Sequence, residues 1–387
     1  MWYFVSPQVV FGEGALDALD ELEGRRALIV TDKTIVQLGL VDQVRQHLDR
    51  AGLEVRVFDE VEPDPSVPTA LRGAEVAREF GPDWIIGLGG GSAMDCAKAI
   101  WILYERPDLH PAEINPFVRL GLRQKARLIT IPTTSGTGAD VTWAIVLTDP
   151  EEQRKMGLGN RESVPDLAIV DPVLASGMPP RLTADTGMDA LTHAVEGYTC
   201  TWHNDLSDGL CIQAARLIFQ YLPRAVADGS DMEARERMHN AATIAGLGFG
   251  NAMASMAHAM GHALGACFHV HHGRAVGIFL PYTIEFCARE APQRYAELAY
   301  LLGISQAGGE EGARALAQAI RDLARQIGSP ISVAETGVER AAYEAQLDKL
   351  VDDAFNDTQM VTAVRAPSYD ELRQLFLYAY DGKPVDF

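Results

Sequence analysis

Up to about residue 181 the chain repeats one alternation, a short β-branched apolar run followed by a stretch with helical spacing. The runs fall at 27–31, 55–58, 84–88, 128–131 and 167–170, and helical patterns such as 41–51 and 68–80 lie between them. Strands separated by whole helices pair through crossovers, which gives a mostly parallel sheet covered on both faces. Ligands of such a sheet sit at the carboxyl ends of its strands.

The composition changes near residue 181. Fourteen of the 20 prolines precede it and eight of the 10 histidines follow it. Beyond it, 183–199, 206–222, 231–246, 252–268, 291–302, 310–327 and 369–379 carry apolar residues three and four apart, the helical period. A chain of 387 residues exceeds one ordinary core. The expected fold is an α/β N-terminal domain over 1–181 and an all-helical C-terminal domain over 182–387, with a cleft between them.

Charge and cysteine content exclude some functions. A net charge of −20 repels phosphate backbones and anionic lipid, so neither nucleic acid nor a membrane is an expected partner. No apolar run is long enough to span a bilayer, and residues 1–11 do not read as a secretory leader. Five scattered cysteines with no CxxC argue for small core residues in a reducing cytoplasm rather than a disulfide framework.

Two loops suit a nucleotide. Gly87 and Leu88 lead into Gly89, Gly90, Gly91 and Ser92 after the run 84–88, just before a helical stretch. Backbone N–H groups of consecutive glycines can close around a phosphate, and a helix N-terminus adds partial positive charge. Ser92 with Asp95 fits a capping box that would start the helix there. A plain glycine turn explains the same residues. Thr133, Thr134, Ser135, Gly136, Thr137 and Gly138 follow the run 128–131, with hydroxyls suited to ribose and phosphate oxygens. Asp32, after 27–31, can accept from a ribose 2′-hydroxyl or simply cap the next helix.

The helical half holds a metal pattern. Asp189 and His193 are four apart, as are His258 and His262, and each pair shares a helix face in a very apolar segment. Buried carboxylates and imidazoles are costly without partners. His269, His271 and His272 follow closely. One carboxylate with several imidazoles suits Fe(II) or Zn(II) rather than Mg or Ca. From the residues alone, His262 is a ligand, a proton relay or a core histidine.

At these residues the chain resembles the iron-containing, or group III, alcohol dehydrogenase family. The likeness runs through Phe11-Gly12, Thr31-Asp32-Lys33-Thr34, Gly89-Gly90-Gly91-Ser92 with Asp95 and Lys98, and Pro132-Thr133-Thr134 with Gly136-Thr137. It continues through Asp166, Asp171-Pro172, Met178-Pro179, the run from Gly187 to His193, Glu196, Tyr198, His258, Gly261-His262 and His272-Gly273. Residues 28–34 look most like the lactaldehyde reductase (propanediol oxidoreductase) branch.

The resemblance implies a dinucleotide-binding first domain and a metal- and substrate-binding second. It implies Asp189, His193, His258 and His272 as ligands of one divalent metal, Fe(II) first and Zn(II) second. His262 then lies beside the nicotinamide without ligating, as the catalytic histidine. Asp32 favours NAD over NADP, and Lys155 lies near the nucleotide. A homodimer or higher homo-oligomer is expected. The chain departs from the family in His269-Val270-His271, which leaves another ligand open, and in lacking an Asn-Pro-Arg near 356–367.

The implied reaction is hydride transfer between a small primary alcohol or diol, or its aldehyde, and NAD(H), with the metal as Lewis acid. Phe249, Phe268 and Trp143 are candidate apolar walls. Rival readings are a glycerol-dehydrogenase-like or dehydroquinate-synthase-like enzyme, a metallohydrolase, for which no His-Glu-x-x-His is present, and a non-catalytic NAD- or metal-binding module.

Overall fold

The computed structural model describes residues 3–151 and 154–387. They form two compact units, Met1–Gly177 and Met178–Phe387.

The first unit is built on a six-stranded sheet of order β1-β8-β5-β4-β2-β3. Its strands are β1 (Gln8–Phe11), β2 (Arg26–Val30), β3 (Glu54–Phe58), β4 (Trp84–Gly89), β5 (Arg127–Pro132) and β8 (Leu167–Val170), and every pairing is parallel. The five runs expected from sequence are all strands of this sheet. Alternate residues of one strand feed opposite cores: Leu28 and Val30 pack with Phe58, Ala74 and Ile100, while Ala27 and Ile29 pack with Val44, Ile86 and Ile131. That double burial is why the strands read as continuous apolar runs.

Helices α1 (Lys33–Gln37), α2 (Leu40–Arg50), α3 (Val67–Phe80), α4 (Gly91–Glu105) and α5 (Pro172–Ala175) belong to this unit. A chain leaving β2 passes through α1 and α2 to β3 on one side, while a chain leaving β4 passes through α4 to β5 on the other. The carboxyl ends of β2 and β4 therefore flank the topological switch point, where open α/β sheets hold ligands.

Some elements escape the pattern. β1 has only four residues. The antiparallel hairpin of β6 (Ala144–Asp149) and β7 (Arg154–Gly159) was not expected, since Lys155, Gly157 and Gly159 break the strand period. The helix after β4 starts at Gly91 with Gly90 as N-cap and no side-chain cap, so the Ser92–Asp95 capping box does not form.

The second unit contains α6 (Pro180–Thr199), α7 (Asp205–Ala227), α8 (Met232–Phe249), α9 (Met256–Phe268), α10 (His272–Cys287), α11 (Pro292–Leu301), α12 (Gly309–Gln326), α13 (Arg340–Ala345), α14 (Leu347–Phe355) and α15 (Tyr369–Asp381). α6 is its axis, buried on every side from Thr183 to Thr199 and packed by α7, α8, α9 and α10. α10 was not expected from sequence, because Gly273, Gly277 and Pro281 interrupt its helical signal. No helix among the described residues is long and apolar enough to cross a membrane. All five cysteines are free thiols, and four of them are buried.

One core residue couples the second unit to acid. His239, on α8, is fully buried, and burial pushes its pKa down to about 4 from the usual 6.5. It stays neutral in the fold and takes a proton only when the chain unfolds. Between those values the unfolded chain binds more protons, so stability is intact above pH 6.5 and falls as pH drops toward 4, by about 3 kcal/mol from this residue. His239→Leu should flatten the acid slope by close to one proton. Urea unfolding of both proteins between pH 7 and 4.5 reads the difference, and parallel slopes would contradict it.

Candidate functional site

Three adjacent carboxyl ends carry the nucleotide candidates. Asp32, just after β2, caps α1: its Oδ1 accepts from Thr34 N–H at 2.7 Å and Ile35 N–H at 3.1 Å. Its Oδ2 lies 3.8 Å from the place a Cβ would take on Gly89. The cap and the position beside the glycine loop thus coexist.

Gly89 has φ +148°, a region closed to most L-residues, and a Cβ there would meet Ala93 Cβ at 2.7 Å. Gly90 lies 3.5 Å from Thr134 and Gly91 lies 3.0 Å from Thr137 Cγ2, measured from their Cβ positions. Thr133 N–H donates to Gly89 O at 2.9 Å. The two loops chosen from sequence therefore face each other across β4 and β5. This cradle, which side chains would fill, fits a phosphate or ribose. Ser92 is the second residue of α4 at its edge.

Two candidates are engaged elsewhere. Asp95 Oδ2 accepts from Val146 N–H at 3.0 Å, and its buried Oδ1 lies 3.6 Å from the fully buried Lys98 Nζ. Lys98 in turn donates to Ala144 O at 2.9 Å. Burial pushes Asp95 up and Lys98 down, each opposed by the other. Asp95 is thus a strut between α4 and β6, one oxygen bonded to the β6 backbone and the other beside Lys98. Lys155 on β7 pairs with Asp64 at 2.7 Å. Trp143 packs against Gly159, whose Cβ position lies 2.6 Å from its ring.

The metal candidates converge from three helices. Ligand atoms of Asp189 on α6, His258 on α9 and His272 at the start of α10 all lie within 4.8 Å of one another. Asp189 Oδ1 is 3.4 Å from His272 Nε2 and 3.8 Å from His258 Nε2. His193 stands one turn along α6, its Nδ1 3.8 Å from Asp189 Oδ1. Its ring is stacked between Phe249 at 3.9 Å and His258 at 4.4 Å. Phe249 therefore does line the site, whereas Phe268 stacks on Tyr343.

α10 can begin this close to α6 because residue 273 is glycine: a Cβ there would sit 2.2 Å from Asp185 O and 2.9 Å from Asp189 Cβ. The neighbouring histidines lie apart from the tight group. His269 is the left-handed C-cap of α9, and His271 Nδ1 is 3.8 Å from Asp185 Oδ2.

Glu196, one turn beyond His193, supports the cluster. It accepts from Ser255 N–H at 2.8 Å, Ala257 N–H at 2.5 Å and His258 Nδ1 at 2.6 Å. These bonds hold the start of α9, which begins at Met256 rather than at 252, and they turn His258 Nε2 toward Asp189. Glu196 appeared in sequence only as part of the family likeness. Its spacing of seven from Asp189, two helical turns on one face, was the available signal.

The electrostatics favour a cation. Burial pushes Asp189 up, but His193, His272 and His258 more than offset it and hold the carboxyl well below its usual range. Burial pushes His258 down, yet Glu196 and Asp189 raise it to about 9. Asp189 Oδ1 and His258 Nε2 are both buried without a hydrogen-bond partner. Orphaned buried atoms of this kind are expensive, and a divalent cation satisfies an acceptor carboxylate and an imidazole lone pair together. The residues present fit such an ion.

His262, one turn after His258, is not in the tight group. Its ring lies 5.3 Å from that of His272 and 6.0 Å from that of His258, and its Nδ1 is 2.8 Å from Asp357 Oδ2. Sequence reading missed Asp357, 95 residues away.

Two family descriptions match nearly the whole chain: "Iron-containing alcohol dehydrogenase" over residues 6–172 and "Fe-containing alcohol dehydrogenase family, C-terminal" over 183–380. The chain belongs to the iron-containing alcohol dehydrogenase family. It is an oxidoreductase that interconverts an alcohol and an aldehyde, in a family that uses NAD(P) and a metal.

Among relatives of this alcohol dehydrogenase, the NADPH-dependent butanol dehydrogenase of Clostridium saccharobutylicum is 40% identical over 100% of both chains. The lactaldehyde reductase of Escherichia coli (strain K12) is 37% identical over 89% of this chain and 91% of its own. A 1,3-propanediol oxidoreductase structure superposes with a TM-score of 0.92 at 35% identity, covering 98% of this chain and 100% of that one. Bifunctional aldehyde-alcohol dehydrogenases also match, and this chain spans 46% of their length.

Proposed function

We propose that this alcohol dehydrogenase interconverts a small primary alcohol or diol and its aldehyde with NAD(H), using one divalent metal, Fe(II) in first place and Zn(II) in second. The observation that carries the metal assignment is the pair of orphaned atoms, Asp189 Oδ1 and His258 Nε2, with His272 Nε2 beside them. Asp189, His193, His258 and His272 would hold the ion. Lewis acidity toward the reacting oxygen is what a divalent cation supplies there, and hydride acceptance is what a nicotinamide supplies.

The protein's own groups do the rest. Gly89, Gly90, Gly91, Ser92, Thr133, Thr134 and Thr137 bind phosphate and ribose oxygens through N–H and hydroxyl groups. Lys155 serves the nucleotide by exchanging its Asp64 partner for a phosphate oxygen. Asp32 Oδ2 accepts from a ribose 2′-hydroxyl and opposes a 2′-phosphate. Glu196 orients His258. His262 takes and returns the hydroxyl proton. Phe249 closes one side of the site against water.

Small alcohols are supported by relatives named for lactaldehyde and propanediol. The free, mostly buried thiols support a reducing cytoplasm. A homodimer or higher homo-oligomer is part of the same reading.

The name of the butanol dehydrogenase relative favours NADPH instead, so the coenzyme is part of the test. Metal-free protein reloaded separately with Fe(II) and Zn(II) should produce NADH from an alcohol panel, most rapidly with primary C2–C4 alcohols and diols. Asp32→Gly should lower the preference for NAD over NADP by roughly 10–100-fold, the discrimination of one charged contact worth about 1.4–2.8 kcal/mol. A wild-type enzyme that strongly prefers NADP would overturn the role of Asp32. Absence of turnover on any alcohol would overturn the reaction.

A further inference from the structure

The segment that departs from the family near 356–367 places a carboxylate on His262. Asp357 follows α14 and begins a short 3-10 turn, Thr358–Thr362, with its Oδ1 accepting from Gln359 N–H at 2.8 Å. The turn is anchored at its far end, where Thr362 Oγ1 donates to Ala254 O at 2.6 Å and Thr362 O accepts from Thr201 N–H at 3.0 Å. Asp357 Oδ2 is thereby fixed 2.8 Å from His262 Nδ1. Side-chain exposure of 18% for Asp357 and 24% for His262 keeps the pair mostly out of water.

An ionised carboxylate only accepts hydrogen bonds, so Nδ1 must carry the hydrogen. The neutral ring then has a bare lone pair on Nε2, on the side of the ring away from Asp357. The ring itself lies alongside those of His258 and His272. Carboxylates commonly set tautomer and orientation of functional imidazoles in this way.

We propose that Asp357 is a positioning residue that holds His262 in its Nδ1–H tautomer, leaving Nε2 as the acceptor for the substrate hydroxyl proton. In alcohol oxidation the O–H bond breaks and the proton passes to Nε2, while the hydride from the carbinol carbon goes to NAD(P)+. The imidazolium is stabilised by Asp357, which stays ionised, and later gives the proton to solvent. The proposal rests on the reading of His262 as the proton-carrying group.

The test uses full-length protein loaded with Zn(II) and labelled with 15N-histidine. Nitrogen NMR of the wild type should show His262 as Nδ1–H, assigned by its loss in His262→Ala. Asp357→Ala should shift His262 to a mixture of tautomers, keep the full metal content, and lower kcat roughly 10–100-fold, below the range of a direct acid–base group. KM should change less than about threefold. Asp357→Asn has one oxygen where Asp357 uses two, so with the cap on Gln359 kept its NH2 faces Nδ1, and it should favour the Nε2–H tautomer and recover little of the lost rate. An Nε2–H tautomer in the wild type, or an unchanged tautomer and kcat in Asp357→Ala, would overturn the proposal. Full turnover in His262→Ala would instead overturn the reading of His262, with the tautomer result still supporting the hold of Asp357 on its ring.

Discussion

Asp189→Ala should yield a folded protein that retains no stoichiometric metal and turns over at least about 10³-fold more slowly, the rate equivalent of about 4 kcal/mol of lost Lewis-acid stabilisation. The carboxylate is the only anionic group in the tight trio with His258 and His272, and its Oδ1 is the atom both imidazoles approach. Without it only imidazoles remain as donors, and two of them, on His193 and His258, are buried. His193→Ala, His258→Ala and His272→Ala should lose metal as well. His271→Ala is the control, since its ring lies toward Asp185. Metal analysis after dialysis and steady-state rates on the same preparations decide the matter. Full metal content in His272→Ala would refute the ligand set.

Glu196→Gln should weaken metal binding about 10–100-fold, although residue 196 is no ligand. The substitution keeps the shape and halves the acceptors. Oε2 accepts from Ser255 N–H and His258 Nδ1, and Oε1 from Ala257 N–H. An amide can satisfy one side only, so its NH2 must face a backbone N–H or the His258 ring. Each lost charged hydrogen bond is worth about 1.5–3 kcal/mol. If Ser255 and His258 lose their acceptor, His258 can turn its lone pair away from the cluster. Competition with a chelator measures the affinity, and thermal unfolding of metal-free protein measures the loss at the start of α9. Unchanged affinity with lower stability would reduce Glu196 to a helix cap.

Much of this architecture is legible in the chain because burial and period coincide. β2, β4 and β5 are apolar on both faces, so they stand out as runs, and the loops that follow them carry the glycines and threonines of the nucleotide cradle. The i, i+4 spacing exposes Asp189–His193 and His258–His262, because one helical turn is written directly in sequence. Other relations need the fold. His262 and Asp357 are joined by no spacing rule, and α10 is hidden by Gly273, Gly277 and Pro281, residues whose use is close packing rather than helix propensity. Asp95 misled for a related reason. An acidic residue near a helix start looks like a cap, yet here it reaches β6 through Val146.

The register of the first sheet also has a temporal meaning. β1 pairs with β8 through Gln8 and Leu167, so the first strand to leave the ribosome waits for the last. At about 5–20 residues per second, that wait is roughly 8–30 s. Throughout it β1 exposes Val9 and Val10 with their backbone groups unpaired, and β5 lacks its outer neighbour. Helices of the second unit such as α6, α7 and α8 meet partners adjacent in sequence and have no such delay. During synthesis the sheet is therefore the vulnerable half, and the nascent β1 segment is the place where a holding chaperone would have most to protect.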